Sequence, residues 1–406
     1  MMSDYRKAMP RWLPYLDLAC VTIAGGLWAA LPGANWWPLF LALAPWAIRL
    51  VLTGQVPRRT RFDLLLILFL VTAGASVWAS YDRQVAWHKF WLIVGGVLFF
   101  YALVNAEPIG EVRGWLLAAF GAGIAIYFLA THDWEAHGAR IEALGRLGRT
   151  LQAPLPALAV HRFHPNVAGG IMAMMLPFAG LVTLQAWDRR ERAGQSWDRA
   201  RLLRFVAGLG LSALTLFGLV MSGSRGAWIA TAGVLCAIGL WVVAGWLGRW
   251  AGARQARVFA GLLALGLVAL LGVGFIWPGA VVAVLGSLPG GNTTSGKLDL
   301  LRNAMILVRD YPFVGAGLGG FPMLYSTYAL LIHVGYTMHS HNFFLDLTVE
   351  QGMPALVVLV GMWLLFGWSV WKEMSRSEAH RGSRTLGAAA LSLIVIVLHG
   401  LADNIL

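Results

Sequence analysis

Residues 338–354 read MHSHNFFLDLTVEQGMP, and two histidines, His339 and His341, stand just ahead of an apolar run that opens with Phe343, Phe344 and Leu345. Ser340, His341 or Asn342 is placed to cap a helix starting there, because short polar side chains accept from the unpaired N–H groups of a first turn. An imidazole at such a place sits at the positive end of the helix dipole, which disfavours its protonated form. A neutral imidazole near pH 7 is a general base. The same residues fit a plainer reading, in which Asn342 caps and both histidines merely sit at a membrane interface. Residue types alone leave the two readings open.

The second group of candidates is cationic. Met221-Ser222-Gly223-Ser224-Arg225-Gly226-Ala227-Trp228 forms a very short turn between two apolar runs, with no acidic residue near it in sequence. An arginine at headgroup depth is costly unless it is paired, and a guanidinium matches phosphate oxygens two at a time. Flanking glycines let the backbone approach a ligand, and Ser222 and Ser224 add hydroxyl donors. The alternative is an arginine that snorkels to lipid headgroups. Arg302 and Arg309 stand seven apart on a predicted helix and so share a face, with Asn303 beside Arg302. Asp299 and Asp310 offer them ordinary local partners. Arg162 lies within His161-Arg162-Phe163-His164-Pro165-Asn166, where Pro165-Asn166 marks a helix start.

Other chemistries find little footing. Asp133-Trp134-Glu135, with His132 and His137 nearby, has metal-ligand residue types but no second cluster to complete a site, and no metal or other cofactor is expected. The chain lacks any Asp-x-Asp, so a Mg²⁺-held nucleotide sugar is poorly supported. It also lacks a G-x-x-x-x-G-K-[ST] loop, and nothing suggests ATP hydrolysis.

The elements that hold these residues follow from composition. Of 406 residues, 58% are hydrophobic and only 12% charged, with mean hydropathy +0.68. A soluble chain is usually about 25% charged, so lipid must be the solvent here. Only helices or closed barrels satisfy their backbone in lipid, and the apolar runs are continuous and without period-two alternation. The expected fold is therefore all-α, a polytopic transmembrane helical bundle in a single membrane-embedded domain over residues 1–406. Spans fall near 12–31, 36–53, 62–79, 88–104, 114–131, 166–187, 205–222, 226–247, 258–277, 354–371 and 386–402, eleven or twelve in all. The first reads as a retained span, because no short h-region with a small-residue cleavage site precedes it.

Basic residues gather on alternate connections: Arg6, Lys7, Arg11; Arg58, Arg59, Arg61; the run 188–204; Arg249, Arg254, Arg257; and Lys372, Arg376, Arg381, Arg384. That pattern places the N-terminus in the cytoplasm and accounts for much of the net charge of +12 without nucleic acid. Two long connections, about 132–165 and 278–353, fall on the opposite, periplasmic face. The second is expected to hold a helix between two Gly-rich segments. Long ordered connections on one face usually carry function. Of the ten histidines, His88, His132, His137, His161, His164, His333, His339 and His341 map to that face or its rim, His380 lies inside and His399 in the last span. Cys20 and Cys236 fall inside spans and imply no disulfide.

Three blocks carry a family resemblance. SGSRGAW at 222–228, RDYPFVGAGLGGF at 309–321 and HSHNFFLDLTVEQG at 339–352 resemble the signature blocks of the O-antigen ligase and polymerase superfamily. In the last block His341-Asn342, nine residues and then Gly352 resemble the ligase histidine motif, while Ala355 departs from the Gly, Thr or Tyr of that pattern. HPN at 164–166 is similar as well, so the likeness spans roughly the C-terminal two-thirds of the chain.

The resemblance implies a metal-independent, inverting glycosyltransferase of the polytopic C type in a bacterial inner membrane, active on the periplasmic side. Its donor would be a polysaccharide on undecaprenyl diphosphate and its acceptor lipid A-core. Arg225 and Arg302, with Arg162 or Arg309, would hold the diphosphate. His341 would be the base, with His339 as the second choice, supported by Ser222, Ser224 and Asn342. An O-antigen polymerase and a protein O-oligosaccharyltransferase are the nearest alternatives, although the latter commonly carries extra C-terminal sequence. A lipid-linked-sugar flippase is the non-enzyme alternative. A carrier should place polar residues at mid-bilayer in a repeated architecture, whereas this chain has no visible repeat and most of its polar groups gather at one face.

Overall fold

A computed structural model describes residues 12–30, 37–54, 59–105, 110–135, 141–156, 162–193, 199–251, 255, 257–259, 261–262, 294–332, 337–376 and 381–402, and among these it contains helices and no strand. In chain order the helices are α1 (Leu13–Ala30), α2 (Leu39–Thr53), α3 (Asp63–Ala79), α4 (Arg83–Asn105), α5 (Gly110–Thr131), α6 (Glu142–Gln152), α7 (Pro165–Ala193), α8 (Arg199–Met221), α9 (Arg225–Ala251), α10 (Thr294–Asp310), α11 (Phe321–Tyr328), α12 (Phe343–Arg376) and α13 (Arg381–Ala402). The expected all-α polytopic class is what the chain adopts. Each predicted span falls on one of these helices except 258–277, most of which lies outside the described residues, as do His137, His161, His333 and His380.

The expected eleven or twelve spans are represented in part among the described residues. Among the described residues seven helices are long and apolar enough to cross a bilayer, on α4, α5, α7, α8, α9, α12 and α13. The three N-terminal predictions fall on shorter apolar stretches, Tyr15–Ala24, Leu39–Leu52 and Asp63–Ala79.

The chain divides into two compact units. The first comprises Met1–Arg113, Arg302–His339 and Phe344–Leu365; the second comprises Gly114–Leu301, Ser340–Phe343 and Phe366–Leu406. In the first, α1 packs on α2 and α4, and α3 on α4. Asp17 of α1 and Arg49 of α2, both fully buried, form a salt bridge there. Neither charge could stand alone in such a site, since removing one partner strands the other. In the second unit α7 is central, packing on α8, α9 and α13. Its core gathers Phe128, Trp134, Met172, Leu219, Met221 and Val395.

The predicted helix of the second long connection is α10, and helix formation does resume at Phe343. That last helix is not continuous, however: Gly352 within α12 has φ 81° and ψ 171°, so two helical segments meet there, followed by Pro354. The predicted span at 354–371 is the second segment.

Candidate active site

Arg225 is fixed by the turn that precedes it. α8 ends at Met221 and α9 begins at Arg225. Gly223 supplies the left-handed residue that so short a reversal needs, with φ 61°. The Ser222 hydroxyl donates to the Leu219 carbonyl at 2.7 Å and accepts from the Ser224 N–H at 3.3 Å. The Ser224 hydroxyl accepts from the Ala227 N–H at 3.3 Å, which makes Ser224 the N-cap of α9. Trp228 Nε1 ties the turn down by donating to the same Leu219 carbonyl at 3.1 Å. Both serines are buried while Arg225 is partly exposed. The two hydroxyls thus serve the turn, and the guanidinium is what the turn presents.

The histidine block shows a second constrained backbone. His341 has φ 59°, a left-handed conformation that a side chain larger than glycine's rarely adopts. Strain of this kind costs of order 1–3 kcal/mol and collects at functional sites. Ser340, fully buried, brackets the residue: its hydroxyl accepts from the Asn342 N–H at 3.2 Å and donates to the Asn342 carbonyl at 3.1 Å. Asn342 Nδ2 donates to the Leu401 carbonyl at 3.4 Å, tying the block to the end of α13. His341 is half-buried directly ahead of α12.

Arg162 is exposed and donates to Asp133 Oδ2 at 2.7 Å. His164 Nδ1 accepts from the Asn166 N–H at 3.3 Å, so this histidine caps α7, with Pro165 in the first helical position. Asp133 and His132, the metal-ligand types noted above, therefore have other occupations. The His132 ring stacks on Phe128 at 4.8 Å and meets Trp134 edge-on at 4.6 Å.

Arg225, Ser222, Ser224, Arg162, His341 and Asn342 fall within the second unit, and His339, Arg302 and Arg309 within the first. Arg302 and Arg309 are both exposed on the continuous helix α10, two turns apart on one side. Asn303 Nδ2 reaches the Tyr325 hydroxyl at 3.4 Å, joining α10 to α11. Burial, followed by a hydrogen bond with Tyr328 and the charge of Asp310, holds the Tyr311 phenol above its ordinary pKa and so protonated.

Spacing alone did not disclose how two of the signature blocks interlock in the first unit. The Ala316 N–H donates to the Val349 carbonyl at 2.7 Å, Gly317 N–H to the Glu350 carbonyl at 3.1 Å and Met353 N–H to the Pro312 carbonyl at 2.8 Å. A side chain on Gly315 would strike the backbone of Glu350 at 2.4 Å, and one on Gly352 the Phe313 carbonyl at 2.3 Å. Ser76 donates to the Glu350 carbonyl at 2.6 Å and Ser80 to that of Leu318 at 3.1 Å. Lys89 completes the joint on the carboxylate of Glu350. The many glycines of 309–321 were the available signal, but what they approach was not in the sequence.

Residues 210–360 match a family model described as O-Antigen ligase, a stretch that contains all three signature blocks, Arg225, Arg302, Arg309, His339 and His341, and excludes Arg162. A comparison with curated proteins returned no match. The matched family is one of membrane glycosyltransferase-like ligases and polymerases. Over residues 210–360, within a multi-pass helical membrane protein, this chain is similar to the O-antigen ligase family.

Proposed function

We propose that this protein transfers O-antigen polysaccharide from undecaprenyl diphosphate to lipid A-core, at the periplasmic face of a bacterial inner membrane, by metal-independent inverting glycosyl transfer. The observation that carries the reading is His341, held in a left-handed conformation at the start of α12 within the matched stretch. Arg225, presented by its own capped turn, belongs to the same compact unit. The alternation of basic connections supports a cytoplasmic N-terminus and a periplasmic site.

In this mechanism the acceptor hydroxyl oxygen attacks the anomeric carbon while the bond from that carbon to the diphosphate oxygen breaks. The hydroxyl proton passes to His341, with His339 as the alternative base. The leaving undecaprenyl diphosphate takes the bonding electron pair. Arg225 and Arg302, with Arg309, stabilise the growing charge, which is the task a metal performs elsewhere. Arg162, already joined to Asp133, is the weakest member of the set. Ser222 and Ser224 act by fixing Arg225, and Asn342 by fixing His341. The donor linkage is already activated, so no ATP or other cofactor enters.

The test is made in cells. His341→Ala and Arg225→Ala should each reach the membrane at normal levels yet leave lipid A-core without polysaccharide. Normal attachment in both variants contradicts the mechanism.

A further inference from the structure

The connection 132–165 carried no predicted helix, yet α6 lies within it, and its surroundings specify what it touches. At 3.6 residues per turn its sequence EALGRLGRTLQ separates into three sides. The first faces protein: Gly145 and Gly148 are buried, Leu144 packs on the core that includes Trp134, and Gly148 lies directly against the Trp134 ring. The second is polar, with Glu142, Arg146, Arg149 and Thr150 all exposed. The third, between the other two, carries Ala143, Leu147 and Leu151. Leu147 and Leu151 remain 41% and 40% exposed, and Leu155 continues the row just past the helix at 45%.

The depth of this helix is fixed by its attachment. Gln152 Nε2 donates to the carbonyls of Ala130 at 2.9 Å, in the last turn of the membrane span on α5, and of His132 at 3.0 Å, one residue past its end. Arg149 donates to the Trp134 carbonyl at 3.2 Å, and Trp134 Nε1 to the Leu129 carbonyl at 3.3 Å. α6 is therefore bolted to the level where α5 leaves the hydrocarbon. A helix held there, with an apolar flank beside a basic polar face, has the makeup of an in-plane interfacial helix.

We infer that α6 is a membrane-surface anchor whose Leu147–Leu151 flank inserts among the acyl chains of the leaflet at this end of α5, with Arg146 and Arg149 at its phosphate headgroups. It holds Asp133, the ion-pair partner of Arg162, and with it the approach to α7, at headgroup depth. α6 is thus part of the bilayer-facing surface.

The full-length protein tests this after Cys20→Ser and Cys236→Ser remove its two cysteines. Single substitutions Leu147→Cys, Leu151→Cys, Arg146→Cys and Thr150→Cys are labelled with an environment-sensitive fluorophore in phosphatidylethanolamine–phosphatidylglycerol liposomes. Labels at 147 and 151 should be quenched severalfold more strongly by brominated acyl chains than labels at 146 and 150, which aqueous iodide should quench instead. Equal iodide quenching at all four positions overturns the inference. So does shielding of 147 and 151 from both quenchers, which would mean that protein covers the flank. The unsubstituted protein gives a second reading: a diazirine-bearing acyl chain should leave adducts on the peptide containing Leu147 and Leu151, and their absence also overturns it.

Discussion

Lys89 on α4 grips both carboxylate oxygens of Glu350, at 2.7 and 3.0 Å, across 261 positions of sequence. The carboxylate is nearly buried while the ammonium keeps a share of solvent, 9% and 41% exposed respectively. Because the pair is half solvated, its own contribution is modest, and the larger penalty comes from stranding the carboxylate. Lys89→Met should destabilise the protein by about 1–2 kcal/mol, and adding Glu350→Gln should recover most of that loss. Thermal unfolding in detergent checks both, and a double variant no better than the single would contradict the pairing.

Gly352 and Gly223 share a left-handed backbone but differ in surroundings. A methyl group on Gly352 would lie 2.3 Å from the Phe313 carbonyl, whereas nothing lies within 4 Å of one on Gly223. Gly352→Ala is expected to cost about 3 kcal/mol or more, and Gly223→Ala about 1 kcal/mol from backbone strain alone. Fluorescence-detected size exclusion after heating ranks the two.

His341 offers a way to separate strain from chemistry. Glycine accepts φ 59° freely, so His341→Gly should leave stability unchanged or raise it by up to about 1 kcal/mol. Transfer should fall roughly 10²–10⁴-fold with the loss of the base. Melting and single-turnover transfer, measured on one preparation, check both. A variant that loses stability in proportion to activity would make the residue merely structural.

Much of this architecture was legible in the chain. Apolar runs located the helices because lipid requires long apolar stretches, and the serine-flanked turn before Arg225 was evident from its brevity. The helix over 294–310 and the restart at Phe343 were also visible. Pairings between distant residues were not: hydropathy cannot say that Asp17 meets Arg49, or that Glu350 meets Lys89. The break at Gly352 was hidden because a glycine's φ depends on which carbonyl crowds it. The amphipathic α6 was hidden because two of its inward positions, Gly145 and Gly148, are glycines, which give no hydrophobic signal.

Arg225 and Ser224 separate binding from support. Arg225→Lys keeps the charge but loses the paired donors, so kcat/KM should drop roughly 10–100-fold with unchanged stability. Ser224→Ala should remove the cap of α9 at a cost of about 1 kcal/mol, with a smaller effect on transfer. Steady-state kinetics beside thermal melts distinguish the two.

The central claim meets its most direct test in reconstitution. Purified protein in liposomes receives an undecaprenyl diphosphate-linked polysaccharide and lipid A-core, with EDTA present and no ATP. The account predicts polysaccharide joined to lipid A-core and release of undecaprenyl diphosphate, with both lost in His341→Ala and Arg225→Ala. Longer donor chains formed without consumption of lipid A-core would contradict it and identify a polymerase.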